Sequence, residues 1–370
     1  MDFTLTQAQD DLGGLTRQIL DDQLSRQRRR ELADADLDAA LWSQLAAAGV
    51  LSAALPESLG GAGLGLLEQC TVLGEIGRAV APVPYLASIV LGASALARFG
   101  TAQQRQHWVE QAGRGEVILA AALSEEDGED AAVPLTRAED AADGWVLSGA
   151  KTTVLAGTHA ALLLVPAMTA SGPAVFLVAP DDPGVTVTAQ EVTGGAGTAA
   201  IELDGVSVPT SRLLGESGGG PAIARWLAER ATIGLCALQL GVAERALDLT
   251  AEYAQRRQQF GKPIGSFQAV AQRLADGYID VEAIRLTLWQ AAWRLENDLP
   301  AHTELATAKF WAAEAGHRVA HTAVHVHGGV GIDVSYPLHR YFTAAKRAEF
   351  TLGGATAQLR RLGDVLATAP

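Results

Sequence analysis

Positive charge is scarce in this chain. Its 28 Lys and Arg are outnumbered by 42 Asp and Glu, for a net charge of −14 and a pI near 5.0. A nucleic-acid binder presents a basic face to phosphates, so this balance argues against that class. Cysteine is almost absent. Cys70 and Cys236 are the only two, far apart and without metal-type spacing, which points to free thiols in a reducing compartment rather than a disulfide framework. No apolar run reaches the roughly 18 residues of a transmembrane helix. The opening MDFTLTQAQDDLGG has neither a basic n-region nor an apolar h-region, so no secretory signal is read there. Internal repeats and low-complexity tracts are missing too. These absences describe a cytoplasmic protein with no membrane or nucleic-acid partner.

What the chain does have is length and apolar content. Its 370 residues exceed a single compact core, so two or three domains are expected. Hydrophobic residues make up 48%, mostly Ala and Leu, which suits a helix-rich globular protein. Residues 1–114 read as helices: Leu12, Leu15, Ile19 and Leu24 recur at near-helical spacing, as do Leu37, Leu41, Leu45 and Val50. The run Arg26, Arg28, Arg29 and Arg30 reads as a solvated helix face. Over 115–215 the pattern shifts to short apolar runs such as Leu162–Val165 and Val175–Val178, separated by Gly, Pro and Asp, the mark of a small β domain. Residues 216–370 return to helical patterns at 221–256, 266–297, 302–326 and after 353. Pro221 suits a helix start, and the short connections favour an antiparallel bundle. The fold class is α+β.

Four segments bear on chemistry. The loop PESLGGAGLG, Pro56 to Gly65, is glycine-rich, but no strand precedes it, so it reads as a loop between helices and not a dinucleotide fingerprint. Tyr253 to Gln268 reads YAQRRQQFGKPIGSFQ, with Ser266 placed to cap the next helix. His325-Val326-His327-Gly328-Gly329-Val330-Gly331 ends a helix in glycines that admit a phosphate close to backbone amides. His317, His321 and His325 stand at i, i+4, i+8, but no carboxylate joins them at ligand spacing, so no metal is assigned. The last segment runs from Tyr336-Pro337 through Ala345-Lys346 to Leu352-Gly353-Gly354.

Together these segments resemble the acyl-CoA dehydrogenase family, over essentially the whole chain. The first is similar to the family's P-E-x-x-G-G-x-G loop. The second is close to Y-A-x-x-R-x-x-F-G-x-x-I-G-x-F-Q, the third to Q-x-x-G-G-x-G, and the fourth to Y-P-V-x-R-x-x-R-D-A-K-x-x-x-I-Y-E-G-T. The resemblance implies an N-terminal helical domain, a central β-barrel-like domain and a C-terminal four-helix bundle. It also implies an oxidoreductase that uses FAD to desaturate acyl-CoA thioesters. CoA is polyanionic, so any such site needs a local basic patch against the global charge.

In the family, the second and third segments reach across an interface to a neighbouring subunit's FAD. The matching positions are Arg257 for the diphosphate, Phe260 beside the dinucleotide, and Gln268 as a hydrogen-bonding group. Gly328 and Gly329 supply the glycine turn, with His325 where the family has Gln. The family's proton-abstracting Glu falls on Leu352, which has no titratable group. The chain's own flavin pocket departs elsewhere as well. The loop T-E-x-x-x-G-S-D reads Leu123 to Asp130 without the Gly-Ser-Asp. Thr153 and Leu155 replace a flavin-packing Trp and Thr, and Gly354 replaces a Thr. The alternative family position for the base is Ala231. Glu229 faces elsewhere on the same helix, and Glu244 reads as a helix-surface pair.

Intact lending elements beside an eroded pocket imply a heteromer. The resemblance is strongest to the non-catalytic subunit of α2β2 dehydrogenases acting on steroid (cholesterol-type) side-chain acyl-CoA. Its partner would be a catalytic acyl-CoA dehydrogenase subunit holding the substrate, with FAD shared at the interface and an electron-transfer flavoprotein as acceptor. Two alternatives stand beside this: a homotetrameric dehydrogenase with a relocated base, and a flavin-free acyl-CoA-binding scaffold.

Overall fold

Thr6 begins the first helix. Its hydroxyl accepts from the Gln9 N–H and the Gln9 side chain accepts from the Thr6 N–H, at 3.2 and 2.9 Å. This reciprocal cap starts α1 (Gln7–Gln23). The computed structural model describes residues 3–24, 37–128, 130–194, 197–216 and 218–368. The arginine run Arg26 to Arg30 and residue Glu129 lie outside the described residues. Leu12, Thr16 and Leu20 form the buried face of α1, while Leu15, expected there, is exposed. Thr16 is buried because its hydroxyl donates to Leu12 O one turn back.

The chain forms two compact units. The first holds α1, the segment Leu66–Ala81 and the chain from Ile233 onward. Here α3 (Leu66–Ala79) crosses α6 (Gly220–Arg256) backbone to backbone. A Cβ on Gly241 would lie 1.9 Å from Gly74 O, so only glycine permits the approach. The segment between them, α4 (Ser94–Phe99) and α5 (Ala102–Gly113), belongs to the other unit. Next come α7 (Gln268–Glu296) and α8 (His302–His327), the latter burying a small-residue face that includes Ala308, Ala312, Ala315 and Gly316. A helix that sequence patterning passed over, α9 (Leu338–Phe350), packs on α8 before α10 (Ala355–Thr368). Glu244 is not a helix-surface pair. Its carboxylate joins three helices, meeting Arg285 of α7 at 2.7 Å and Arg78 of α3 at 3.4 Å.

The second unit contains α2 (Ala39–Ala47), a π-wound stretch Leu86–Ala93 continuing into α4, then α5 and a seven-stranded sheet. The strands are β1 (Leu119–Ala121), β2 (Arg137–Ala141), β3 (Gly144–Val154), β4 (Leu162–Thr169), β5 (Gly172–Val178), β6 (Val185–Ala189) and β7 (Ala199–Pro209). Their order is β1-β4-β2-β3-β7-β6, with β5 also on β4. All seven send side chains into one cluster around Phe176, Leu163 and Ile201, so the sheet curls about a single core. β2 was not expected, because its sequence RAEDA has one buried residue. The loop Pro56–Gly65 folds on itself: Gly61 N–H donates to Pro56 O and Gly63 N–H to Leu55 O. That accounts for its glycines without a phosphate.

One buried polar group organises the start of the sheet. Glu125 accepts from the Thr136 N–H (2.8 Å), the Thr136 hydroxyl (2.6 Å), the Leu135 N–H and Lys151 Nζ (2.7 Å). Lys151, fully buried, also donates to Pro166 O at 2.7 Å. Burial pushes the Glu125 carboxyl up, but the Lys151, Thr136 and Leu135 bonds outweigh it and hold the group below its usual range. Lys151→Met should therefore cost about 3–5 kcal/mol in urea denaturation, since it strands a buried carboxylate. Glu125→Gln alongside it should recover part of the loss. The stability due to this carboxylate is complete above the ordinary value near about 4.3 and is lost as pH falls through the lower folded value.

Candidate functional site

α6 does not stop at solvent; it hands its last turn to a hairpin. Arg257 N–H donates to Tyr253 O and Ile264 N–H to Arg257 O, both at 2.8 Å. Between them β8 (Gln258–Gln259) pairs antiparallel with β9 (Lys262–Pro263). The two-residue turn is Phe260 at φ 52° and Gly261 at φ 78°. Such turns favour Asn-Gly, and a left-handed aromatic costs about 1–2 kcal/mol. Phe260 is nonetheless 92% exposed. A large ring held in strained backbone with no core to fill is a ring offered outward. Arg257 and Gln268, which opens α7, are exposed as well. Among the described residues Arg257 has no carboxylate partner. Ser266 does not cap α7. Its hydroxyl donates back to Pro263 O at 2.7 Å, and the cap position falls on Phe267, because a short 3-10 turn at Ile264–Ser266 shifts the helix start by one residue.

The second motif lies at the C-terminus of α8. Gly328 adopts φ 62°, ψ −141°, a conformation reserved for glycine, and its N–H closes the helix on Val324 and His325 carbonyls. His325 and Gly329 are exposed, and a Cβ on Gly329 would meet nothing within 4 Å. The two motifs meet through residues that motif reading passed over. His327, buried, stacks on Tyr253 at 4.3 Å and 24°. Its Nδ1 lies 2.8 Å from Ala323 O, and its Nε2 lies 3.3 Å from the Tyr336 hydroxyl. A ring nitrogen facing a carbonyl must carry the proton, so Nδ1 donates and Nε2 accepts from Tyr336. Burial pushes this imidazole below its ordinary pKa, with the Ala323 bond opposing. The available signal was a histidine on an apolar helix face directly before a Gly-Gly.

No group of three His, Cys, Asp or Glu among the described residues could hold a metal ion. His317 instead meets Glu349 at 3.1 Å and Lys346 at 2.7 Å. Those contacts also occupy Glu349, the carboxylate three residues before Leu352. Leu352 itself sits at φ 58° in the turn joining α9 to α10. Gln358 Nε2 donates to Gly353 O at 3.0 Å, and Thr351 Oγ1 to Arg347 O at 2.7 Å. Lys309, wholly buried, caps the end of α9 with bonds to Ala348 O and Glu349 O at 2.9 and 3.1 Å.

In the other unit, Thr153 is exposed at φ 49° and its N–H donates to Gln190 Oε1 at 2.8 Å. Leu155 is half-buried and Ala231 is buried in α6. These positions hold no titratable group.

Comparison with known proteins settles the class. Three family models match in order: acyl-CoA dehydrogenase N-terminal domain over residues 6–116, middle domain over 120–206 and C-terminal domain over 218–367. The chain belongs to the acyl-CoA dehydrogenase family. It is 53% identical to the acyl-CoA dehydrogenase FadE27 of Mycobacterium tuberculosis, with all of both chains covered. A chain of the ChsE4-ChsE5 complex from Mycobacterium tuberculosis superposes with a TM-score of 0.95 at 53% identity over 100% of each chain. A chain of the Tcur3481-Tcur3483 steroid dehydrogenase variant gives 0.91 at 44% identity over 97% of each.

Burial pushes the Lys309 ammonium down to about 8. Between there and the ordinary value near about 10.4 the unfolded chain binds more protons, so stability due to this residue rises with pH. Lys309→Met removes both cap bonds and should cost about 1–3 kcal/mol near pH 10. The deficit should be smaller at neutral pH, where the wild type bears its buried charge. Urea denaturation of both proteins at the two pH values checks this. The comparison is best made in a Cys236→Ala background, because the buried Cys236 thiol, pushed up to about 12, interacts with Lys309 and would titrate differently in the two proteins.

Proposed function

We propose that this chain is a non-catalytic subunit of a heteromeric, FAD-dependent acyl-CoA dehydrogenase, and that it completes the flavin site of a catalytic partner. The observation that carries the reading is a pairing of presence and absence. Arg257, Phe260, Gln268, His325, Gly328 and Gly329 are all exposed within one unit, while position 352 holds a leucine. The donor set fits a dinucleotide: a guanidinium fork for a diphosphate, a bare ring, an amide and a turn without side chains. When bound, FAD supplies the two-electron acceptor chemistry of an α,β-desaturation. Arg257 would bind the diphosphate charge, Phe260 would exclude water beside the dinucleotide, and Gln268 would fix it by hydrogen bonds. Gly328 and Gly329 would admit it close to backbone amides, and His325 would stand where relatives place a glutamine. The partner would supply the glutamate that takes the α-proton.

The named relatives support the finer points. Two of the most similar structures are two-protein complexes, and one is described as a steroid dehydrogenase. On that basis the partner is a second dehydrogenase chain in an α2β2 assembly and the substrate a steroid side-chain acyl-CoA, with an electron-transfer flavoprotein as acceptor. The relocated-base alternative has less in its favour. Ala231 cannot accept a proton, and the Glu244 and Glu349 carboxylates are engaged by basic side chains. The scaffold alternative leaves Arg257 and Phe260 without a use.

Arg257→Ala should loosen flavin at the partner's site by about 2–3 kcal/mol, roughly 30- to 150-fold. Flavin retained by the co-expressed complex after ultrafiltration measures it, and added FAD should restore activity in part. Retention equal to wild type would overturn the shared-site reading. Leu352→Glu should add no second active site, because the flavin-contacting residues that the family resemblance assigns to positions 153, 155 and 354 would still be missing. A doubling of turnover with extra bound flavin would contradict this.

A further inference from the structure

The exposed residues of the lending surface come from two segments far apart in sequence, and something must hold them in register. We propose that His327 is the positioning residue that sets the spacing between Arg257 and the Gly328–Gly329 turn, and that it does so as a neutral imidazole with its proton on Nδ1. The inference rests on the shared-flavin reading above. It adds a residue and a protonation state that the family motifs do not contain.

Three contacts carry it. The Tyr253–His327 stack at 4.3 Å fixes the last turn of α6, from which Arg257 hangs by its bond to Tyr253 O. The Nδ1–Ala323 bond fixes the ring to its own helix one turn before Gly328. The Tyr336 hydroxyl on Nε2 fixes the far side of the glycine turn, whose Gly331 packs against the His327 Cβ. One ring thus touches both segments and the chain returning to α9.

The same arrangement makes the spacing pH-sensitive. Among the described residues, the titratable groups in contact with the ring are Tyr253 from α6 and Tyr336 from the loop before α9, both phenols. Its own helix contributes the Ala323 carbonyl, and the imidazole is moved by burial first and by that bond second. Protonation would place a cation in a buried site and turn Nε2 into a donor, forcing the Tyr336 hydroxyl to reorient. Because the folded pKa is lowered, the native arrangement is intact above the ordinary histidine value near about 6.5 and is lost as pH falls through the lower folded value.

The test uses the co-expressed complex and reads flavin retention by ultrafiltration from about pH 5 to pH 8, the histidine range. Wild type should lose flavin on the acid side. His327→Phe keeps a ring for the stack but loses both hydrogen bonds and the titration. Its retention should be about tenfold weaker at neutral pH and flat across the range, since tenfold is the scale of one lost hydrogen bond. Wild-type retention with the acid loss intact in His327→Phe would overturn the proposal. Arg257→Ala separates the failures. If it keeps its flavin, the shared-site reading fails; if it loses flavin while His327→Phe matches wild type, only the role of His327 fails. Should His327→Phe not assemble, hydrogen exchange of the wild-type complex decides. Peptides covering 255–268 and 328–336 should gain exchange together on acidification, after correction for intrinsic rates. Unchanged or unrelated exchange in the two would sink the idea.

Discussion

A ring stack inside one unit governs a surface that has no core of its own. The hairpin after α6 buries almost nothing: residues 255–263 are all exposed. Ordering such a segment costs about 1–2 kcal/mol per residue in backbone entropy. Two hairpin backbone bonds and a β8–β9 pairing cannot offset that while also fixing direction. Direction comes from Tyr253, which is clamped against His327 and so aims the last turn of α6. The glycine turn after α8 is aimed by the same ring. Arg257 and the Gly328–Gly329 turn are thus both tied to one ring contact.

Both units turn some polar groups inward. In the sheet unit, Glu125 and Lys151 satisfy each other and the neighbouring backbone, and Gln190 bonds both the Thr152 hydroxyl and the Thr153 N–H. A β-bulge that could present donors to a ligand is closed by the protein's own amide. In the helical unit the donors at the ends of α6 and α8 stay outward while the ion pairs of Glu244 and Asp280 tie helices together behind them. The exposed donors at the ends of α6 and α8 fit the proposed subunit, which gives contacts to a partner's flavin.

Sequence carried the fold a long way, because its elements follow from periodicity and capping. The long helices were legible from apolar spacing, and the sheet from short apolar runs between Gly and Pro. β2 was not, since a strand with one buried residue has no apolar alternation to read. α9 was masked by its own motif, and its buried face is only Leu338, Tyr341, Ala345 and Ala348. Arg257, Phe260, Gln268 and the glycines were singled out by the resemblance of their motifs to the family's, and the structure places them on exposed segments. His327 was hidden because its role depends on which rings surround it, and pairs such as Tyr253 and His327 are 74 positions apart. The assignment of Ser266 as a cap failed because a cap depends on where a 3-10 turn ends, and that is settled by backbone geometry after the residue.

Leu352 separates the scaffold of a reaction from its chemistry. The residue stands at φ 58°, where a branched side chain costs about 1–2 kcal/mol and glycine would cost nothing. Strain of this kind persists only where the surroundings over-determine it. Here they do: Thr351 is bonded twice to Arg347 O, Gly353 continues the turn at φ 93°, Gln358 bonds the Leu352 and Gly353 carbonyls, and Lys309 holds the end of α9. All of these act on backbone and none touches the 352 side chain. The turn is therefore indifferent to whether a carboxylate or an isobutyl group stands on it. On the proposed reading, a chain could give up a proton acceptor at this position while these backbone bonds between α8, α9 and α10 stay in place. The fold then remains available for the other task its exposed residues describe, which needs rigid helix ends and no base.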